Sequence, residues 1–120
     1  MANPAVKWKT VAGKECIYFE FNGDLTETDS RNAVEQWKTS LAAKPGQKVP
    51  IVWNCLAMGK YDKSSRQVWQ DALSDLHQQL GPIWVITKSV MITVGANVIS
   101  TFTKFKINIA STEQEIKFPE

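Results

Sequence analysis

Short apolar runs alternate along this chain with segments of helical periodicity, and this alternation constrains the fold more than any other feature. The runs are rich in β-branched and aromatic residues, which strands favour. They lie at residues 6–11, 16–21, 49–56, 83–87 and 105–110. The first two runs are predicted to form a hairpin, and residues 111–115 a short last helix. The predicted order, β-β-α-β-α-β-α-β-(α), indicates an α/β fold with a mostly parallel central sheet covered by helices.

The first two helical segments have boundaries that can be predicted from local residues. The first segment is predicted to begin after Thr26, a good N-cap, and to end before Pro45. The second is predicted to be capped by Ser64 or Ser65 and to end at the Gly81-Pro82 pair. Between these limits, apolar residues recur at helical spacing, so each segment is expected to bury one face against the sheet.

Composition fits one globular domain spanning residues 1–120. The chain is 43% hydrophobic and 22% charged, with a formal net charge of +2. Its like charges form no long block, which argues against a nucleic-acid partner. No apolar run approaches the roughly 18 residues of a membrane span, and the first residues lack a secretory signal. We therefore expect no membrane span and a cytoplasmic location. Cys16 and Cys55 lie inside apolar runs and are expected to be buried thiols in a reducing compartment, although a disulfide between them stays open.

The sequence carries no motif of a familiar catalytic or cofactor site. Phosphate-binding loops, dinucleotide fingerprints and the nucleophile elbow of hydrolases are absent from it. His77 is the only histidine, and a general base needs a nucleophile within hydrogen-bond reach, just as a metal site needs a cluster of ligands. We predict a protein that is not an enzyme and that has no cofactor and no metal site. The alternative is an enzyme of unrecognised type, which would need a cleft with converging titratable residues.

Three stretches of the chain, together with the order of its elements, resemble the STAS domain. They are residues 19–26, which contain Gly-x-Leu-Thr, residues 52–56, and residues 84–87 with the apolar helix and residues 100–103 that follow. STAS is the fold of bacterial anti-sigma-factor antagonists and of the cytoplasmic tails of sulfate transporters. The chain is similar in particular to the sporulation anti-anti-sigma-factor-like, or STAS-like, proteins. The resemblance covers most of the chain and implies a regulatory, protein-binding module without catalytic residues.

The same resemblance draws attention to Ser64. Phosphoregulated members carry an acceptor serine in an Asp-Ser-Ser-Gly stretch at the start of the second helix. Here the stretch contains Asp62, Lys63, Ser64 and Ser65, so Ser64 takes the acceptor position while Lys63 and Ser65 depart from the pattern. A phosphate there would lie at a helix N-terminus, which favours negative charge. The alternative is that Ser64 only caps the helix.

Residues 58–63 are predicted to form a loop between a strand and the second helix. Ligands of open α/β sheets gather at the carboxyl ends of strands, so this loop and the start of the helix form the predicted partner surface. Its residues offer adaptable apolar contact and charge. They are Met58, Lys60, Tyr61, Asp62, Lys63 and Arg66. The alternative is an ordinary solvated loop.

The third helical segment, predicted over residues 90–100 with Ser89 as N-cap, is apolar nearly all round. More of its surface is apolar than one sheet can bury, which predicts an apolar interface or ligand site at Met91, Val94, Gly95 and Val98. Its occupant would be a protein partner, a second copy in a homodimer, or a small lipid-like ligand. The alternative is a helix buried deep in the core. The leading hypothesis is a protein-binding regulatory module, and the second is a carrier or sensor of a small apolar ligand.

The chain holds five tryptophans, many for its length. Core packing is the main prediction for them, and a pocket lined by indoles is the alternative.

Overall fold

The computed structural model describes residues 3–118. Its strands are β1 (Ala5–Val11), β2 (Lys14–Leu25), β3 (Val49–Tyr61), β4 (Leu80–Ile86) and β5 (Ile107–Ala110). Its helices are α1 (Glu27–Ala42), α2 (Lys63–Leu76) and α3 (Val90–Thr103), with single 3-10 turns at His77–Gln79 and Glu113–Glu115. The predicted order and fold class are confirmed, except that the predicted last helix is only a 3-10 turn.

The five strands form one sheet in the order β1-β2-β3-β4-β5. β1 and β2 are antiparallel, and the remaining neighbours are parallel. The predicted hairpin is closed by two residues, Ala12 and Gly13, whose φ angles are 51° and 82°. Two positive φ angles in a two-residue loop match the right-handed twist of the strands that it joins.

All three helices cover the same face of the sheet, where they bury a cluster of aromatic rings. The ring of Phe19 on β2 lies 5.3–6.3 Å from the rings of Trp37, Trp53 and Trp69, which α1, β3 and α2 provide. The Trp69 indole donates to the Ser30 hydroxyl at 3.1 Å. Core packing is therefore confirmed for three of the five tryptophans, while Trp8 and Trp84 are half-buried.

The other face of the sheet is covered by the segment after β5. Ile116 and Phe118 pack there against Tyr18, Val52 and Ile86. Cys16 lies on this face, whereas Cys55 lies on the helical face. The two cysteines are free and buried on opposite sides of the sheet. Burial raises the pKa of the Cys16 thiol to about 11 and that of Cys55 to about 12.

The predicted loop at residues 58–63 is wrong, because β3 continues through Tyr61 and only Asp62 separates it from α2. β2 likewise continues to Leu25, past the end of the apolar run that predicted it at residues 16–21. The two strands pair with each other here, and the Asp24 carboxylate accepts from the Lys60 backbone amide at 2.8 Å. The backbone ladder therefore continues here, and Leu25, Met58 and Tyr61 pack against the core from it.

The predicted boundaries of α2 are wrong at both ends. Asp62, not Ser64 or Ser65, is the N-cap, and the helix ends at Leu76. Gly81 and Pro82 belong to β4, where the backbones of β3 and β4 approach closely. A Cβ at Gly81 would lie 3.1 Å from the carbonyl carbon of Val49, so glycine here allows the close approach of the two strands and does not end a helix.

Candidate functional site

β2 and β3 extend together beyond the rest of the sheet. The last paired residue of β4, Ile86, lies opposite Asn54, whereas β3 continues for seven more residues to Tyr61. Residues 57–61 of β3 pair only with residues 22–25 of β2. We call this pair of segments the β2–β3 extension. It brings Met58 and Tyr61 next to the start of α3.

Tyr61 joins the β2–β3 extension to α3. Its hydroxyl donates to the backbone carbonyl of Met91 at 3.0 Å. Its ring lies against Gly95, where a side chain would collide with the Tyr61 hydroxyl and ring. Gly95 was predicted to lie at an apolar interface or ligand site, and the group that contacts it in the structure is the side chain of Tyr61.

An apolar cavity of about 60 Å³ lies between the sheet, α2 and α3. The sheet contributes Phe21, Leu25, Trp53, Cys55 and Val85 to its wall. The helices contribute Trp69, Ile92, Gly95, Ala96 and Ile99. Its remaining lining residues, Met58, Tyr61 and Arg66, are the only partly exposed ones, and we call them the mouth of the cavity. The cavity walls carry almost no polar surface, so the cavity suits an apolar group.

The residues of the predicted partner surface fall into two groups. Met58, Tyr61 and Arg66 meet at the mouth of the cavity. Lys60, Asp62 and Lys63 are exposed and do not line it. The structure thus brings half of the predicted set together around an apolar opening, and partner binding by these residues stays a prediction.

Asp62 and Ser64 form a hydrogen-bonded pair at the start of α2. The Asp62 carboxylate accepts from the Ser65 backbone amide and from the Ser64 hydroxyl, both at 2.8 Å. These hydrogen bonds, the one from the Ser65 amide first, lower the pKa of the Asp62 carboxyl below its usual range. The Asp62 carboxyl is therefore ionised at neutral pH, and the Ser64 hydroxyl donates to a negative charge. Ser64 itself is exposed.

The outer face of α3 is apolar and exposed. Val90 and Met91 retain 78% and 59% of their accessible surface, and Val94 and Phe102 retain 55% and 70%. Val98 is half-buried on the same helix. Of the four residues predicted as an apolar interface, Met91 and Val94 therefore face solvent, and Gly95 faces the cavity. The alternative of a helix wholly inside the core is wrong, because only Ile92, Gly95, Ala96 and Ile99 of α3 are buried.

The cations near this site take part in none of the ion pairs of the described residues, as is also true of Lys14, Lys48 and Lys117 elsewhere. The ion pairs among residues 3–118 are Lys7–Glu20, Lys9–Glu113, Arg31–Glu27, Lys38–Glu35 and Lys44–Glu15. Six cations around α3 and the start of α2 have no carboxylate within 4 Å in the described part of the chain. They are Lys60, Lys63, Arg66, Lys88, Lys104 and Lys106. The side of the molecule formed by α3 and the start of α2 therefore combines an exposed apolar surface with positive charges that have no carboxylate partner.

Sequence reasoning missed the cavity wall and the role of Asp24. The small pair Gly95 and Ala96 was the available signal, since small residues on an otherwise bulky helix leave space on one side. The carboxylate of Asp24 supports the β2–β3 extension from another strand, and no local pattern marks that contact.

Two kinds of feature are absent from residues 3–118. No three His, Cys, Asp or Glu side chains come together as metal ligands would. No helix in this range is long and apolar enough to cross a membrane.

No protein-family model and no curated protein match this sequence. Solved structures that share its fold include the following two. One is an uncharacterised protein of the DUF3478 family with a SpoIIAA-like fold, from Shewanella loihica PV-4, with a TM-score of 0.76 and 10% identity over 96% of this chain and 91% of that chain. The other is the anti-sigma factor antagonist SpoIIAA in its unphosphorylated form, with a TM-score of 0.64 and 17% identity over 92% of this chain and 93% of that chain. At these identities the similarity is one of fold, and it confirms the predicted STAS-like architecture.

Proposed function

We propose that this STAS-like domain is a non-catalytic regulatory module that binds a protein partner at the mouth of the apolar cavity. The observation that carries the proposal is the position of Met58, Tyr61 and Arg66 around an apolar opening. Binding energy at protein interfaces concentrates where an anchor side chain enters a desolvated pocket beside polar residues. The name of the similar structure, an anti-sigma factor antagonist, indicates that it acts on another protein. This supports a protein partner for the present chain.

The chemistry of the cavity supports a binding role over a catalytic one. Its wall is apolar, and besides the Tyr61 hydroxyl, which donates to the Met91 carbonyl, its nucleophilic group is the Cys55 thiol. Burial raises the pKa of this thiol to about 12, so it is protonated at neutral pH. A protonated thiol is a poor nucleophile, because the thiolate is the reactive form. Cys16 and Cys55 also lie too far apart in the fold to pair, on opposite faces of the sheet, which supports a reducing, cytoplasmic setting.

Site-specific photo-crosslinking tests the partner surface. A benzoylphenylalanine replaces Met58 at the mouth in one variant, and Gln36 on the exposed side of α1 in a matched control. We expect one protein adduct in the cells of origin with the Met58 variant and none with the control. The purified partner should then bind the Met58→Asp variant at least about tenfold more weakly than the unchanged protein. Equal adducts at both positions, or none at either, would contradict the proposal.

Ser64 is the proposed site of regulation by phosphorylation. A phosphoryl group there would place about two further negative charges beside the ionised Asp62 carboxylate and would displace it from its capping contact. We expect Ser64→Glu to weaken binding of the crosslinked partner and Ser64→Ala to leave it unchanged. Mass spectrometry of protein purified from its own cells should show the phosphorylated peptide, and its absence under all growth conditions would remove this part of the proposal.

A second candidate function, the binding of a small apolar ligand, is favoured by the cavity itself. Its volume of about 60 Å³ is well below the roughly 150 Å³ of the engineered cavity that accommodates benzene. A ligand held there would therefore bury only a few carbon atoms. Native mass spectrometry before and after denaturation tests this function. An added mass that is lost on denaturation would support it, and a clean mass would leave the protein partner as the function. The same spectra would show a homodimer directly.

A further inference from the structure

We propose that the partner presents an acidic amphipathic helix, which lies along the outer face of α3 and inserts one aliphatic side chain into the cavity. This inference rests on the proposed function and specifies the chemistry of the partner. It is argued from the shape of the α3 face, from the charges at its ends and from the size of the cavity.

The apolar residues on the outside of α3 form one continuous stripe. Met91, Val94, Val98 and Phe102 follow one another at spacings of three and four residues, which places them on the same side of a helix. From Met91 to Phe102 the stripe is roughly 16 Å long, at about 1.5 Å per residue. A partner helix of about three turns matches that length, and helices pack at close to this scale through such stripes.

The charged residues of the chain segment around α3 are all positive. α3 itself contains no charged residue, while Lys88 precedes it and Lys104 and Lys106 follow it. No Asp or Glu occurs between Asp75 and Glu113. A partner with carboxylates near both ends of its apolar face would therefore meet complementary charge at both ends of α3.

The same charges disfavour a second copy of this chain on the α3 face. In an antiparallel pair, Lys88 of one copy would approach Lys104 of the other. In a parallel pair, each lysine would approach its own counterpart. Like charges brought together at an interface oppose association, so the pattern favours a different, acidic chain.

The cavity defines the anchor of the partner helix. Its mouth, at Tyr61 and Met58, adjoins the Met91 end of the stripe, because the Tyr61 hydroxyl bonds to the Met91 carbonyl. A volume of about 60 Å³ has room for the end of one branched aliphatic side chain and not for a larger aromatic group. Helices that bind grooves present such anchors at i, i+3, i+4 and i+7.

Selection from an unbiased library tests this inference. A phage-displayed library of helical peptides of about 18 residues, randomised at every surface position, is selected on the folded full-length protein. We expect enriched peptides to carry Leu or Ile at i, i+3 or i+4, and i+7, flanked by Asp and Glu. Selection of basic, Pro-rich or non-amphipathic peptides, or no enrichment, would overturn the inference.

Three protein variants then locate the binding of the best peptide. Val94→Lys places a charge within the stripe, a triple variant replaces Lys88, Lys104 and Lys106 by Glu, and Gln36→Lys on α1 is the matched control. We expect Kd to rise about tenfold or more with the first two and to stay unchanged with the control. Unchanged melting temperatures exclude misfolding as the cause. Equal Kd values for the unchanged protein and Val94→Lys would overturn the inference.

Two other occupants of the stripe have distinct signatures, and either would overturn the inference. Co-sedimentation with vesicles of phosphatidylglycerol and phosphatidylcholine, lost in Val94→Lys, would assign the stripe to a membrane surface. A dimer that Val94→Lys converts to a monomer would assign it to a second copy. A protein crosslinked at Met58 together with peptides that are not acidic would remove this inference and leave the proposed function intact.

Discussion

α1 and α3 cover the same face of the sheet, but their outer surfaces differ. α1 buries Trp37 and Leu41 inward and carries charged residues outward, some of them in ion pairs such as Arg31–Glu27 at 2.8 Å. α3 buries Ile92 and Ile99 inward and carries no charge at all. Both helices are held to the sheet by their buried apolar residues. The fold therefore does not require the outer face of α3 to be apolar. A surface that departs from the demands of the fold is where a functional surface is expected, which is why the α3 face carries the further inference.

The largest expected difference between the two helices is in the cost of removing an aromatic side chain. Trp37 on α1 is fully buried, so Trp37→Ala should lower the free energy of unfolding by about 3–5 kcal/mol. Phe102 on α3 is 70% exposed, so Phe102→Ala should change it by no more than about 0.5 kcal/mol. Urea denaturation followed by circular dichroism measures both. A loss above about 2 kcal/mol for Phe102→Ala would show that the α3 face is already covered in the free protein.

The next largest effect sharpens the comparison at Gly95, where α3 carries a residue that helices disfavour. Gly95→Ala should cost about 1–3 kcal/mol, because the new Cβ collides with the Tyr61 ring. In a Tyr61→Ala background the same substitution should stabilise by up to about 1 kcal/mol, because alanine is the better helix former. A double-mutant cycle measures this change of sign. The same cost in both backgrounds would mean that Gly95 is required for another reason.

A smaller difference is expected at the N-caps. The Thr26 hydroxyl accepts from the Asp29 amide at 3.0 Å, and the Asp29 carboxylate accepts in turn from the Thr26 amide. The Ser89 hydroxyl makes a single longer contact, 3.4 Å, with the Ile92 amide. We expect Thr26→Ala to cost about 1–2 kcal/mol and Ser89→Ala about 0.5–1 kcal/mol in chemical denaturation. Thr26→Ser is the control and should retain most of the stability. A larger loss at Ser89 would reverse the ranking.

The smallest expected effects differ in sign. Arg31→Gln breaks the pair with Glu27 on α1 without adding a like charge, and should cost about 0.3–0.5 kcal/mol. Lys88→Glu places a negative charge just before the N-terminus of α3, where the helix dipole favours it, and should be neutral or stabilising by about 0.3 kcal/mol. Melting temperatures at low and high salt measure both, since salt screens exposed charges. A clear destabilisation by Lys88→Glu would show that this lysine has a structural partner.

The order of elements, the fold class and two of the helix caps could be predicted from local patterns. Thr26 and Ser89 were predicted as N-caps and are confirmed, because a cap depends on residues within one turn. The β2–β3 extension could not be predicted in the same way. Most of its residues are exposed, with Leu25, Met58 and Tyr61 as the buried or half-buried ones, and the contact between Asp24 and Lys60 joins positions that are distant in sequence.

The candidate site was predictable in outline only. Met58, Tyr61 and Arg66 were placed together because they follow one another at the carboxyl end of a strand. The cavity behind them could not be predicted. Hydrophobic periodicity indicates which residues face inward, but it does not indicate how tightly they fill the space. Its wall residues have the same pattern as those of a filled core.

The sheet order β1-β2-β3-β4-β5 repeats the order of the chain, so each strand joins a neighbour that has already left the ribosome. Domains that form from contacts between successive elements can assemble progressively during synthesis. α3 is made after α1 and α2, and it closes the cavity over the sheet. The proposed binding surface is therefore incomplete until α3 has been made, so a chain that stops before α3 should lack the cavity altogether.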